Sequence, residues 1–172
     1  MTTPAVESRA DVALERLYDE HYVRLVRLGV LLLGDQGRAE EVVQDCFVAL
    51  HQRWSRLAGA NLPAYLRQSV VNGCRSARRH QRVVDQHLHE APGTAPGADE
   101  PVLADARREA VLAALADLPR RQREVLVLRY YLDLSEREIA ETLGIGPGSV
   151  KTHASRGSAA LRTALSGLQE DS

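Results

Sequence analysis

Three sets of polar side chains recur at helical spacing in this chain, and each is equipped to bind rather than to catalyse. Near the end, Lys151, Thr152, Ser155 and Arg156 share one face when residues are placed about 100 degrees apart, with Ser149 and His153 at its edge. Short hydroxyls between cations suit phosphates and base edges in a major groove. In the middle of the chain, Arg75, Arg78, Arg79 and Arg82 repeat at i, i+3, i+4 and i+7, so their guanidinium groups point the same way. Like charges at that spacing repel by about 0.2–0.5 kcal/mol per pair, so the stripe is locally unfavourable without an anion. Four phosphate contacts would make log K fall with log salt at a slope near −3.6, about 0.9 per contact. Earlier still, Glu40, Glu41, Gln44 and Asp45 share a face, which is either a solvated patch or a docking surface for a basic partner helix.

Reactive chemistry finds no such support. No Gly-rich phosphate loop and no Ser/His/Asp grouping stands anywhere in the sequence, so no catalytic residue and no cofactor is expected. Cys46 and Cys74 are isolated, without a CxxC pair, which argues against a zinc site and against a disulfide framework. His87 and His89 flank a Leu with no second ligand pair nearby, so no metal is expected there either.

The elements that must carry these faces are all helical. From 135 to 157 the chain reads SEREIAETLGIGPGSVKTHASRG. Ser135 and Glu138 form a capping box at a helix start, and Gly144 supplies the left-handed residue that ends that helix. A second helix begins at Pro147, whose missing N–H suits a first turn. Its inward stripe is Val150, Ala154, Gly157 and Leu161, opposite the hydroxyl-and-cation face. Capped helix, Gly turn and polar face in series predict a helix-turn-helix.

Going back to the start, apolar positions from Leu14 to Leu32 predict a long amphipathic helix over 10–33, closed by Gly34 and Asp35. Ala39, Val43, Cys46, Phe47, Leu50 and Trp54 predict a second helix from Arg38 to Trp54, with the acidic face on its other side. A short loop from Ser55 to Leu62 follows, then a helix with Pro63 in its first turn and Leu66, Val70, Gly73 and Ala77 inward. Residues 91–101, APGTAPGADEP, have nothing to bury and read as part of a linker from Val83 to Val102. Helices then follow over Leu103 to Asp117 and Arg120 to Leu132. Val111, Leu112, Leu115 and Leu118 are expected to face Val125, Leu126 and Leu128.

Composition agrees with this all-α reading. The chain has 172 residues, 44% hydrophobic and 4% aromatic, enough for one domain or two small ones with cores of Leu, Val and Ala. A net charge of −1 does not exclude nucleic acid, because local clustering of cations decides that. All basic residues except Lys151 are Arg. The N-terminus lacks a secretory pattern, and no apolar run approaches membrane length, so the expected location is the cytoplasm, without membrane insertion.

With both halves laid out, the chain resembles bacterial RNA polymerase sigma factors of the extracytoplasmic function (ECF) type. GDQGRAEEVVQDCFVAL, from Gly34 to Leu50, is similar to the family segment that docks on the polymerase clamp helices. LPRRQREVLVLRYYLDLSEREIAETLGIGPGSVKTHASRG resembles the family's region 4. The resemblance implies a minimal two-domain protein: region 2 over 10–82, a flexible linker over 83–102, and region 4 over 103–166.

Further roles follow from the resemblance alone. Glu40, Glu41, Gln44 and Asp45 would dock on core RNA polymerase. The loop holding Arg56 and Asn61 would take a flipped base of the minus-10 element, with Asn72 beside it and Arg75, Arg78, Arg79 and Arg82 on the phosphates. Ser149, Lys151, Thr152, Ser155 and Arg156 would read the minus-35 element. Promoter DNA and core polymerase are then the partners, with an anti-sigma factor as a third. The competing expectation is a stand-alone helix-turn-helix repressor or activator, which would bind a palindrome without polymerase.

Overall fold

In the computed structural model, residues 4–57, 59–87 and 103–166 are described, with side chains described from residue 10 onward and again from residue 105. Seven α-helices and one 3-10 turn account for most of these residues, and no strand occurs among them. They are α1 (Pro4–Leu33), α2 (Gln36–Gln52), the 3-10 turn Trp54–Arg56, α3 (Leu62–His87), α4 (Leu103–Asp117), α5 (Arg120–Tyr130), α6 (Glu136–Leu143) and α7 (Pro147–Ser166). Two compact units result, the first running to Ala77 and the second from Arg78, so the division falls inside α3. α3 itself continues to His87, past the point where the sequence suggests a linker. The rest of that expected linker, 88–102, lies outside the described residues.

α1 and α2 pack antiparallel. Gly34, at a φ of 75°, ends α1, and the Asp35 carboxylate accepts from the Arg38 N–H at 2.8 Å to start α2. The helix therefore begins at Gln36, ahead of the expected Arg38. Leu25, Leu28 and Leu32 of α1 and Val43, Phe47 and Leu50 of α2 are buried. Leu66, Val70, Val71 and Cys74 supply the buried side of α3. The α3 backbone comes so close to α2 that a Cβ on Gly73 would lie 2.6 Å from the Val42 Cγ1. A glycine is what permits that approach.

In the second unit α7 is the central helix, with α4, α5 and α6 all packed on it. Val125, Leu126, Leu128, Ile139, Leu143, Val150 and Ala154 fill the core. At Gly157 an added Cβ would sit 3.0 Å from Leu126 Cδ1, so the small residue lets α7 settle onto α5. Leu115 and Leu118 are buried as their pattern suggests, but α4 lies against α7, and Arg123 ties it to α5. Pro119 cuts α4 off and has no N–H to offer its last carbonyls; the Leu115 carbonyl accepts from the Leu118 N–H at 3.2 Å instead. Arg123, only 4% exposed, reaches back from α5 and donates to the carbonyls of Leu115 at 2.5 Å and of Ala116 and Leu118 at 2.8 Å. Burial pulls its guanidinium down to about 10, still charged at neutral pH.

Candidate nucleic-acid interface

The helix-turn-helix is built as its local residues dictate. The Glu138 N–H donates to the Ser135 hydroxyl oxygen at 3.3 Å, and the Ser135 N–H donates to the Glu138 carboxylate at 2.9 Å, the reciprocal capping box. Gly144 adopts φ 64° and ψ 41°, the left-handed cap expected of it. The Gly146 carbonyl then accepts from the Ser149 and Val150 N–H groups, opening α7. Val150, Ala154 and Gly157 are buried and Leu161 is half-buried.

On the opposite side of α7, Ser149, Lys151, Thr152, Ser155 and Arg156 are all exposed, and His153 is half-buried at the edge. All five expected positions thus share one accessible face. Thr152 turns its hydroxyl proton back to the Gly148 carbonyl at 3.1 Å, leaving its oxygen as an acceptor. Lys151 Nζ lies 3.8 Å from Glu136 Oε2, and Arg129 lies 3.9 Å from the other Glu136 oxygen. Arg156 makes no ion pair among the described residues.

The Arg stripe on α3 is graded. Arg79 and Arg82 are exposed, whereas Arg75 and Arg78 are half-buried, and Arg75 donates to the Asn72 amide oxygen at 3.1 Å. Asn72 and Arg75 therefore act as a pair. Arg56 is exposed at the end of the 3-10 turn. That turn replaces part of the loop suggested by the sequence: the Arg56 N–H donates to the Arg53 carbonyl at 2.9 Å. Asn61 is exposed but employed, because its side-chain oxygen accepts from the Ala64 N–H at 3.1 Å and starts α3.

On α2, Glu41, Gln44 and Asp45 are exposed, while Glu40 is half-buried and accepts from Gln36 at 2.8 Å. Gln44 also donates to the Tyr22 hydroxyl, at 3.5 Å. Behind the patch, Tyr18 and Tyr22 stack at 4.4 Å and Tyr18 meets Phe47 edge-on at 5.2 Å. Val48, 55% exposed, continues the Glu41–Gln44–Asp45 face by one turn. The sequence pattern places Tyr18 in the apolar run of the first helix and gives Val48 no role, because α2 is sorted there by polarity. A signal did exist, since Val48 lies four residues beyond Gln44, on the polar side of the pattern.

Among the described residues no group of three or more His, Cys, Asp or Glu could hold a metal, and His89 lies outside them. Cys46 and Cys74 are buried free thiols. Burial, followed by the Asp45 charge, pushes the Cys46 thiol up to about 11, so it stays protonated at neutral pH. No described helix is long and apolar enough to cross a membrane.

Two small helical units, the second a helix-turn-helix with an open cationic face, define an all-α DNA-binding protein. Residues 17–83 match the family model described as Sigma-70 region 2, and residues 108–161 match Sigma-70, region 4. The ECF RNA polymerase sigma factor SigL of Mycobacterium tuberculosis is 35% identical over 166 residues, covering 92% of this chain and 93% of the relative. In fold, the chain is similar to CnrH, solved in complex with the cytosolic domain of CnrY, at a TM-score of 0.69 and 24% identity over 95% of this chain and 96% of that one. It is equally similar to the sigma factor RpoE from Bartonella quintana, solved with the anti-sigma factor NepR, at a TM-score of 0.69 and 22% identity over 88% and 98%. The chain belongs to the sigma-70 family and is an RNA polymerase sigma factor of the ECF type. Its role is in transcription initiation, with core RNA polymerase and promoter DNA as partners.

Proposed function

We propose that the two units divide that role between distinct surfaces. Glu40, Glu41, Gln44 and Asp45, extended by Val48 and Tyr18, dock on core polymerase. An acidic rim around an apolar spot suits a basic helical partner, since the charges steer the encounter while the buried apolar contact holds it. Arg56, Asn72, Arg75, Arg78, Arg79 and Arg82 hold the minus-10 region as it opens. Asn61 contributes there by fixing the start of α3 and so the shape of the preceding turn, with its amide nitrogen left to donate. Ser149, Lys151, Thr152, Ser155 and Arg156 read the minus-35 element.

The observation that carries this reading is the exposed face of α7, where all five polar positions stand free of the core on a helix locked from behind by Val150, Ala154 and Gly157. Promoter opening then draws on binding energy, because holding a base outside the stack offsets an unstacking cost of a few kcal/mol. We assign no catalytic residue and no cofactor, and place the protein in the cytoplasm beside its polymerase. An anti-sigma factor is the third partner, as it is for the RpoE relative. Of the stretch over 83–102, α3 takes the residues up to His87, and the 15 that remain, 88–102, would reach about 20 Å as a coil and about 50 Å extended. Promoter elements roughly 50 Å apart, about one and a half turns of DNA, need the extended form.

Gel filtration of the chain with purified core polymerase tests the docking face. Wild type should co-elute, and the Glu41→Ala/Gln44→Ala variant should not, with its helical content unchanged. Co-elution of the variant at wild-type level would remove α2 from the interface.

A further inference from the structure

Glu136 opens α6, and its carboxylate is divided between two cations from other helices. Oε1 faces Arg129 at the end of α5 at 3.9 Å, and Oε2 faces Lys151 on the exposed side of α7 at 3.8 Å. Both distances exceed a hydrogen bond, so these are charge contacts that exchange readily. Lys151 is 70% exposed and is the one lysine of the chain, a compact charge on a flexible stem. Arg129 also lies 6.0 Å over the Tyr130 ring, which keeps it near α5. Lys151 can therefore leave Glu136 without stranding the carboxylate, because Arg129 stays.

We propose that Glu136 is a positioning residue for minus-35 recognition: it competes with DNA phosphate for Lys151 and so restrains binding by α7. This rests on the assignment of α7 as the DNA-facing helix. A free Lys151 would bind any phosphate, since such contacts carry no sequence information. With Lys151 parked on Glu136, the face reaches DNA with its hydroxyls and Arg156 foremost. Sequence-independent affinity is thereby held down while contacts to base edges are untouched.

The test is fluorescence anisotropy of the full chain on a labelled duplex pool of random sequence, at several salt concentrations. Glu136→Gln should bind about 3- to 10-fold tighter, with a salt slope steeper by about 0.9, the value of one added phosphate contact. Adding Lys151→Ala should abolish most of that gain. A gain equally large with Lys151→Ala present would mean that Glu136 acts only through net charge, and would overturn the proposal. So would affinity and slope unchanged in Glu136→Gln. Failure of the wild type to bind duplex at low salt, both alone and with core polymerase added, would remove α7 as the DNA face and this inference with it. If circular dichroism shows that Glu136→Gln unfolds, Glu136→Asp replaces it, keeping the charge at the helix start but shortening its reach. A smaller gain in the same direction is then expected, and no gain overturns the proposal.

Discussion

Replacing Arg123 by Ala removes the donor that closes α4. Three carbonyls, those of Leu115, Ala116 and Leu118, lose their bond from Arg123, Leu115 keeping only the Leu118 N–H at 3.2 Å, in a site where Arg123 itself is 4% exposed. Hydrogen bonds from a charged donor are each worth about 1.5–3 kcal/mol, so the gross loss is on the order of 4–9 kcal/mol. Against this stands the desolvation of the guanidinium, several kcal/mol, which the variant no longer bears. The net destabilisation should be about 3 kcal/mol, confined to the second unit. For a domain of that size the melting temperature should drop by roughly 10–20 °C. Trp54, the one tryptophan, lies in the first unit and gives an internal control. Thermal unfolding followed by far-UV circular dichroism should gain an early transition, while Trp54 fluorescence should melt at the wild-type temperature. A shift below about 1 kcal/mol, or an equal shift of both probes, would refute the claim that Arg123 closes the second unit.

Three other substitutions probe the remaining steps. Arg156→Ala should weaken binding by about 1–3 kcal/mol at one contacted base pair of the upstream element, measured by competition with single-base variants; uniform weakening on every sequence would make Arg156 a phosphate contact. Ser135→Ala should cost about 1 kcal/mol of stability by opening the capping box, read from urea unfolding, and a change indistinguishable from zero would mean that packing alone sets the start of α6. The folded Cys46 thiol keeps its proton up to about pH 11, whereas its ordinary value is 9.0. Between those values the unfolded chain loses the proton first, so the Cys46 contribution is intact below pH 9 and declines as pH rises towards 11. Stability of Cys46→Ala should fall less steeply than wild type across that window, and parallel curves would sink the assignment.

What was legible in the sequence was local. Ser135, Glu138 and Gly144 act within three or four residues of their partners, and the structure closes that capping box and turn as their spacing requires. The face of α7 was equally readable, because a 3.6-residue period leaves one answer once Val150, Ala154 and Gly157 are assigned inward. Arg123 was not readable as a structural residue. Its purpose depends on the carbonyls at the Pro119 break, and nothing in RRQR distinguishes it from its exposed neighbour Arg120. Glu136 was hidden for a similar reason: its partners lie seven and fifteen residues away, in two other helices. Asn61 was read as a loop residue when its position just before Leu62 and Pro63 also fits a helix cap, which is the use α3 makes of its side-chain oxygen. The limit lies where a side chain answers to tertiary neighbours rather than to its own helix.

Central to this account is the division between a polymerase-docking face on α2 and a DNA-reading face on α7. Its most direct test is selection from a random DNA pool, run with the chain alone and again with core polymerase added. The account predicts that two separate boxes at a fixed spacing are enriched only when core polymerase is present, and that Glu41→Ala/Gln44→Ala abolishes the enrichment. A single palindrome, selected equally well without polymerase, would contradict it.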